Sequence, residues 1–135
     1  MNDRLELWKH LRYLAPMCAA DQFFLIGDLN AVKAVENRVG NPLTLSEMRD
    51  FSELITDIHL AEINSSGGYF SWTSKGIGNR VQSRIDWAFG NDVWMLHNSH
   101  VKVDYLLPSV SDHTPLLIKY CDLKLRENHS SSLIT

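Results

Sequence analysis

Apolar residues recur along this chain in three rhythms, and each predicts a kind of element. Leu7, Leu11 and Leu14 stand at i, i+4 and i+7 with Trp8 beside them, the spacing of one helical face. Asp3 followed by Glu6 has the form of a capping box, and Pro16 should end or kink this helix near Leu14. Met48, Phe51, Leu54, Ile55 and Ile58 form a second stripe behind Thr44 and Glu47, predicting an amphipathic helix from about residue 45 to 57. The second rhythm is an unbroken run, Phe23-Phe24-Leu25-Ile26, that stops at Gly27-Asp28-Leu29-Asn30. It predicts a strand over residues 22–27 buried on both faces. The third is alternation from Gln82 to Phe89, with Ile85, Trp87 and Phe89 facing one way and Gln82, Arg84, Asp86 and Ala88 the other.

Weaker signals fill the gaps. Residues 31–42 read as a loop, Ser65 to Gly68 as a turn, Tyr69 to Ser74 as a strand and Gly76 to Asn79 as a hairpin-like connection. Asn91 is placed to cap a short helix through Val93, Trp94 and Leu96. Val101 to Leu107 and Leu116 to Cys121 read as strands around a loop from Pro108 to Asp112. From Asp122 onward the chain turns polar, and residues 122–135 are expected to be a frayed tail. Helical and hairpin-like connections alternate without a repeat, so the expected fold class is α/β in the broad sense (α+β), a mixed sheet with helices packed on it.

Composition changes this picture little. With 135 residues the chain is one domain or part of one. It is 44% hydrophobic and 21% charged, enough for a core and ordinary in charge. A net charge of −3 and a pI near 6.0 argue against a protein that coats nucleic acid but leave room for a nuclease with an acidic metal pocket. Cys18 and Cys121 lack metal-ligand spacing and read as buried thiols. No signal peptide and no membrane-length apolar run is seen, so the expected location is intracellular, nuclear or cytoplasmic, with no membrane partner.

Three polar clusters fall at strand ends or on a strand's polar face: Asp28 with Asn30, Arg84 with Asp86, and Ser111-Asp112-His113. Hard oxygen ligands suit Mg²⁺, and a histidine held by a carboxylate can move a proton near neutrality. Each cluster also has an ordinary reading. Asp28 is equally a turn residue, Asp86 a surface partner for Arg84, and His113 a loop residue, while Trp72, Trp87 and Trp94 read as core packing. The remaining five histidines lack ligand spacing. A Ser-His-Asp hydrolase is disfavoured because no nucleophile-elbow Gly-x-Ser-x-Gly occurs.

Taken together, the blocks Gly27-Asp28-Leu29-Asn30, Ser83-Arg84-Ile85-Asp86-Trp87 and Ser111-Asp112-His113-Thr114-Pro115-Leu116 resemble three ordered blocks of the endonuclease/exonuclease/phosphatase superfamily, whose fold is a deoxyribonuclease-like four-layer αββα sandwich. Phe70-Ser71-Trp72-Thr73 fits its Phe-Thr-Trp segment, and Leu7-Trp8 and Glu36-Asn37-Arg38-Val39-Gly40 are similar to the LINE-type retrotransposon subgroup, plant ones especially. The resemblance implies a Mg²⁺- or Mn²⁺-dependent phosphodiester hydrolase acting on DNA or RNA. It assigns Asp28 to the attacking water, Asn30 to placing water and phosphate, Asp86 to holding His113, His113 to the charge on phosphorus or proton transfer, and Asp112, with Asp28, to the metal. It covers residues 4 to 120, the C-terminal half of the family domain, so residues 1–121 are expected to form half of the sandwich. The family's metal-binding Glu, an Asn and often a Tyr come from the other half. The same reading therefore implies weak metal binding, self-association through exposed strands, and an alternative in which the chain is an inactive remnant serving at most as an interaction module.

Overall fold

In the computed structural model, residues 3–40, 45–74, 80–107, 112–121 and 129–134 are described. Thr44, the connection at 76–79 and Ser111 lie outside them. Helix α1 spans Asp3–Met17 and helix α2 Leu45–Asp57, the latter with the expected bounds. Pro16 sits inside the last turn of α1 instead of ending it. Past Pro16 the turn closes with the Cys18 N–H reaching the carbonyls of Leu14 and Ala15 at 3.2 and 3.1 Å.

Strand β1 (Phe24–Asp28) pairs antiparallel with β7 (Asp86–Gly90), which pairs on its other side with β3 (Ala61–Glu62). A second sheet runs in the order β10 (His129–Ile134), β9 (Leu116–Cys121), β8 (Lys102–Tyr105), β4 (Ser65–Gly67), with β4 parallel to β8. A third small sheet joins β2 (Arg38–Val39), β6 (Gln82–Ser83) and β5 (Trp72–Thr73). Helix α3 spans Asp92–His97, with the Asn91 side chain accepting from the Trp94 N–H as its cap. The fold is thus mixed α+β, three helices on three small sheets among the described residues.

β7 divides two cores. Trp87 and Phe89 pack under α1 and α2 with Trp8, Leu11, Phe51 and Leu54. Ala88, on the opposite face, packs with Val103, Tyr105, Leu116, Ile118 and Trp94. The single strand expected from Gln82 to Phe89 is instead two, β6 and β7 in different sheets; over β7 the side chains alternate, but both faces are apolar rather than one polar.

Four expectations need correction. β1 is not a fully buried strand. Leu25 and Ile26 do reach the two cores, but β1 is a sheet edge and Phe24 is 39% exposed. Arg84 and Asp86 do not lie on a solvated face and do not pair with each other. Both are buried, and each finds a partner more than twenty residues away. The segment read as a turn at 65–68 contributes a strand, because Gly67 at φ +88° lets the backbone approach Tyr105, whose carbonyl would lie 2.3 Å from any added Cβ. The loop at 31–42 contains a 3₁₀ turn, Val35–Asn37, and β2.

The tail also differs from a frayed one over His129–Ile134, where β10 runs antiparallel to β9. Pairing through backbone groups satisfies an open sheet edge without requiring apolar side chains. Among the described residues no helix is long and apolar enough to cross a membrane.

Candidate active site

The register of two strands builds the site. β1 ends at Asp28 and β7 begins at Asp86, and the two aspartates stand directly opposite in the antiparallel ladder. Like charges in such a position repel, so something must stabilise them. Gly27, at φ +136°, is the last β1 residue before Asp28, a backbone that side chains rarely adopt. Beyond it the chain turns: Asn30 takes φ +49°, and its N–H donates to Asp28 Oδ1 at 2.8 Å. Asn and Asp tolerate this left-handed turn through such local bonds.

His113 arrives from a third segment. Residues 112–114 run along β5 through a Trp72–His113 bridge, a bond from the Thr73 N–H to the Asp112 carbonyl and one from the Thr114 N–H to the Ser71 carbonyl. His113 Nδ1 then lies 2.9 Å from Asp86 Oδ2, and Nε2 lies 3.6 Å from Asp28 Oδ2. The Asp86 side chain is 5% exposed, against 31% for His113 and 45% for Asp28. A buried carboxylate therefore holds one ring nitrogen, and the other faces an open carboxylate.

The structure brings Asp28, Asp86 and His113 together, with one donor atom of each within 4.8 Å of the others. Asn30 adjoins them through its turn at Asp28. Asp112 is the neighbour of His113, but its Oδ2 accepts from Trp72 Nε1 at 3.1 Å and it does not belong to the close group. Trp72, expected as packing, is thus a half-buried hydrogen-bond donor. Trp87 and Trp94 are core residues as expected.

Electrostatics follow from burial. Desolvation pushes the Asp86 carboxyl above its ordinary range, offset in part by hydrogen bonds from His113 and Ser71. Burial alone would lower the His113 imidazolium. The hydrogen bond to Asp86 and the charges of Asp86, Asp28 and Asp112 outweigh it, so its pKa lies above the ordinary 6.5. A raised histidine stabilises the fold fully below its ordinary pKa, and the gain fades as pH rises through the folded value. In an NMR titration His113 should therefore show a midpoint above 6.5, and Asp86→Asn should bring it down. An unchanged midpoint in that variant would show that Asp86 does not control the ring.

No family model matches the chain, and neither does any curated protein or solved structure.

Ser71 enters the sequence reading only within the Phe70-Ser71-Trp72-Thr73 segment, yet it is fully buried and its Oγ accepts the N–H groups of Ile85 and Asp86 at 2.9 Å each. Tyr105 adds a hydroxyl bond to the Asp86 carbonyl at 2.7 Å. These two residues fix the backbone on which Asp86 is mounted. Ser71→Ala strands two buried donors at about 1–3 kcal/mol each and should visibly lower the melting temperature. A wild-type melt would show that other groups take those donors.

Proposed function

We propose that this chain carries the catalytic half-site of a metal-dependent phosphodiester hydrolase, endonuclease-like and directed at nucleic acid, on the C-terminal half of an αββα sandwich. One observation supports it most: Asp86 anchors His113 from a buried position, while His113 Nε2 and Asp28 stay accessible beside each other. The bond to Asp86 and the nearby carboxylates raise the His113 pKa, which favours its protonated form, and in that form Nε2–H can donate to a phosphoryl oxygen as negative charge grows there. The exposed Asp28 carboxylate can orient water and accept its proton. Asn30, in its tight turn beside Asp28, would place water and phosphate without adding charge.

The carboxylates of Asp28 and Asp86 offer the hard oxygen ligands that suit a divalent cation such as Mg²⁺ or Mn²⁺, with Asp112 at the margin. Asp86 and His113 already satisfy each other, so Asp28 is the ligand most free to bind. When bound, the cation supplies charge neutralisation at the phosphoryl oxygens. The test is nicking of supercoiled plasmid by the purified chain in millimolar Mg²⁺ or Mn²⁺ and in chelator. Cation-dependent nicking supports the reading; intact plasmid under every condition overturns it.

A second reading has its own observation. The outer edge of β1 has no strand partner among the described residues, and Phe24 is 39% exposed beside it. An open edge pairs readily with another chain. An inactive remnant of a retroelement endonuclease acting as an interaction module would self-associate in size-exclusion chromatography and turn over nothing. A monodisperse, active monomer rules it out.

A further inference from the structure

Beside the aspartate–histidine site lies a cleft of about 540 Å³ between the 3₁₀ turn and the β3–β4 segment, with Arg84 and Trp87 at its base. None of Asp28, Asn30, Asp86, Asp112 or His113 lines it. Its volume is in the range of small-molecule sites, and its polar groups converge.

The charges in it balance. Lys33 and Arg84 face Glu36 and Glu62, and Glu62 serves both cations, 3.0 Å from Arg84 and 3.6 Å from Lys33. A bare phosphate would find no unpaired cation there. The wall is instead aromatic and hydrogen-bonding. Asn37, buried, accepts the N–H groups of Lys33 and Ala34 and donates to the Tyr69 hydroxyl at 2.7 Å. That bond fixes a ring that is still 46% exposed. Tyr69 accepts there and keeps its own proton to donate. Ser65 Oγ likewise accepts from Arg84 at 3.2 Å and keeps a proton. Glu62 retains acceptor lone pairs.

We propose that this cleft binds a single unstacked nucleobase of a nucleic-acid strand. A flat, uncharged ring with donors and acceptors on its edge matches a half-exposed tyrosine ring, with the Arg84 guanidinium 5.1 Å from its centroid, flanked by hydroxyl donors and a carboxylate acceptor, the way single-stranded bases are usually held. Continuity ties the cleft to the catalytic group. Tyr69 precedes by two residues Ser71, whose Oγ holds the Asp86 N–H, and Arg84 precedes Asp86 by two. The inference rests on the hydrolase reading for its biological substrate, but base binding itself does not.

The test is ligand-observed NMR and calorimetry on the full chain with adenosine, uridine, inorganic phosphate, a single-stranded dodecanucleotide and the same sequence as a duplex. The nucleosides and the single strand should bind, the strand at least tenfold tighter than the duplex, and phosphate should not compete with adenosine. Tyr69→Leu should weaken adenosine at least tenfold, while Tyr69→Phe, which keeps the ring, should weaken it less. His113→Gln should leave adenosine binding unchanged. Phosphate binding without nucleoside binding, or equal affinity in Tyr69→Leu, overturns the proposal, as does the absence of any nucleoside binding. If adenosine binds but plasmid stays intact, the cleft stands and the hydrolase reading falls; nicking without nucleoside binding gives the reverse.

Discussion

Replacing His113 by glutamine should lower plasmid nicking by about 10²–10⁴-fold, the usual worth of a positioned acid or base, with little change in melting temperature. The distinction lies in what Asp86 is left with. Its carboxylate is nearly fully buried, and His113 is its principal side-chain partner. His113→Ala removes that partner and leaves a desolvated acid, a cost of about 1–3 kcal/mol, so a loss of activity in that variant alone would be ambiguous. Glutamine retains an N–H donor near the same place but cannot carry a titrating proton. Equal inactivity of the two variants, with only alanine destabilised, assigns the proton chemistry to the imidazole. Full nicking by the glutamine variant would remove His113 from the mechanism.

Residue types alone name the members of the site; that Asp86 holds His113, as it does at 2.9 Å, is implied in the sequence only by the family resemblance. Asp28, Asp86 and His113 stand out by type and by their position at strand ends. Their convergence depends on the register that sets Asp28 against Asp86 and on the bridge that carries His113 alongside Trp72. Neither is a local property. The same limit explains Arg84. Alternation puts it on the face opposite Trp87, but the strand breaks between β6 and β7 and its guanidinium lies 5.2 Å from the Trp87 ring; which acid it meets depends on β3, only two residues long, lying beside β7. Helix α2, the Asn91 cap and β9 were legible because stripes, caps and apolar runs are local and strong. The exposure of β1 was not, since an apolar run looks the same at an edge as in the middle of a sheet. The role of Ser71 was not legible for another reason: a serine in the Phe70-Ser71-Trp72-Thr73 segment has no periodicity to announce that its oxygen will hold two buried amides.

Trp87→Ala is the substitution expected to damage the fold most. The residue is 1% exposed, stacks on Phe89 with centroids 5.7 Å apart and tilts against Phe51 at 5.8 Å. Its Nε1 donates to the buried Ala31 carbonyl at 2.8 Å. Truncation to alanine removes this packing and leaves a cavity, typically about 3–5 kcal/mol, and the stranded carbonyl adds about 1–3 kcal/mol. Against a typical domain stability of about 5–15 kcal/mol, the variant should be close to unfolding at room temperature. Trp87→Phe keeps most of the ring and loses only the donor, so it should shift the urea midpoint by about 1–3 kcal/mol divided by the denaturant slope. The consequence reaches the site because Trp87 and Asp86 are consecutive on β7 and face opposite sides of the strand. The packing that holds the indole under α1 and α2 also holds the backbone from which Asp86 reaches His113. Trp87→Phe should therefore retain the elevated His113 titration. If Trp87→Ala melted like the wild type, the helical core would be able to close over the gap, and the position of Asp86 would have to be secured by Ser71 and Tyr105 alone.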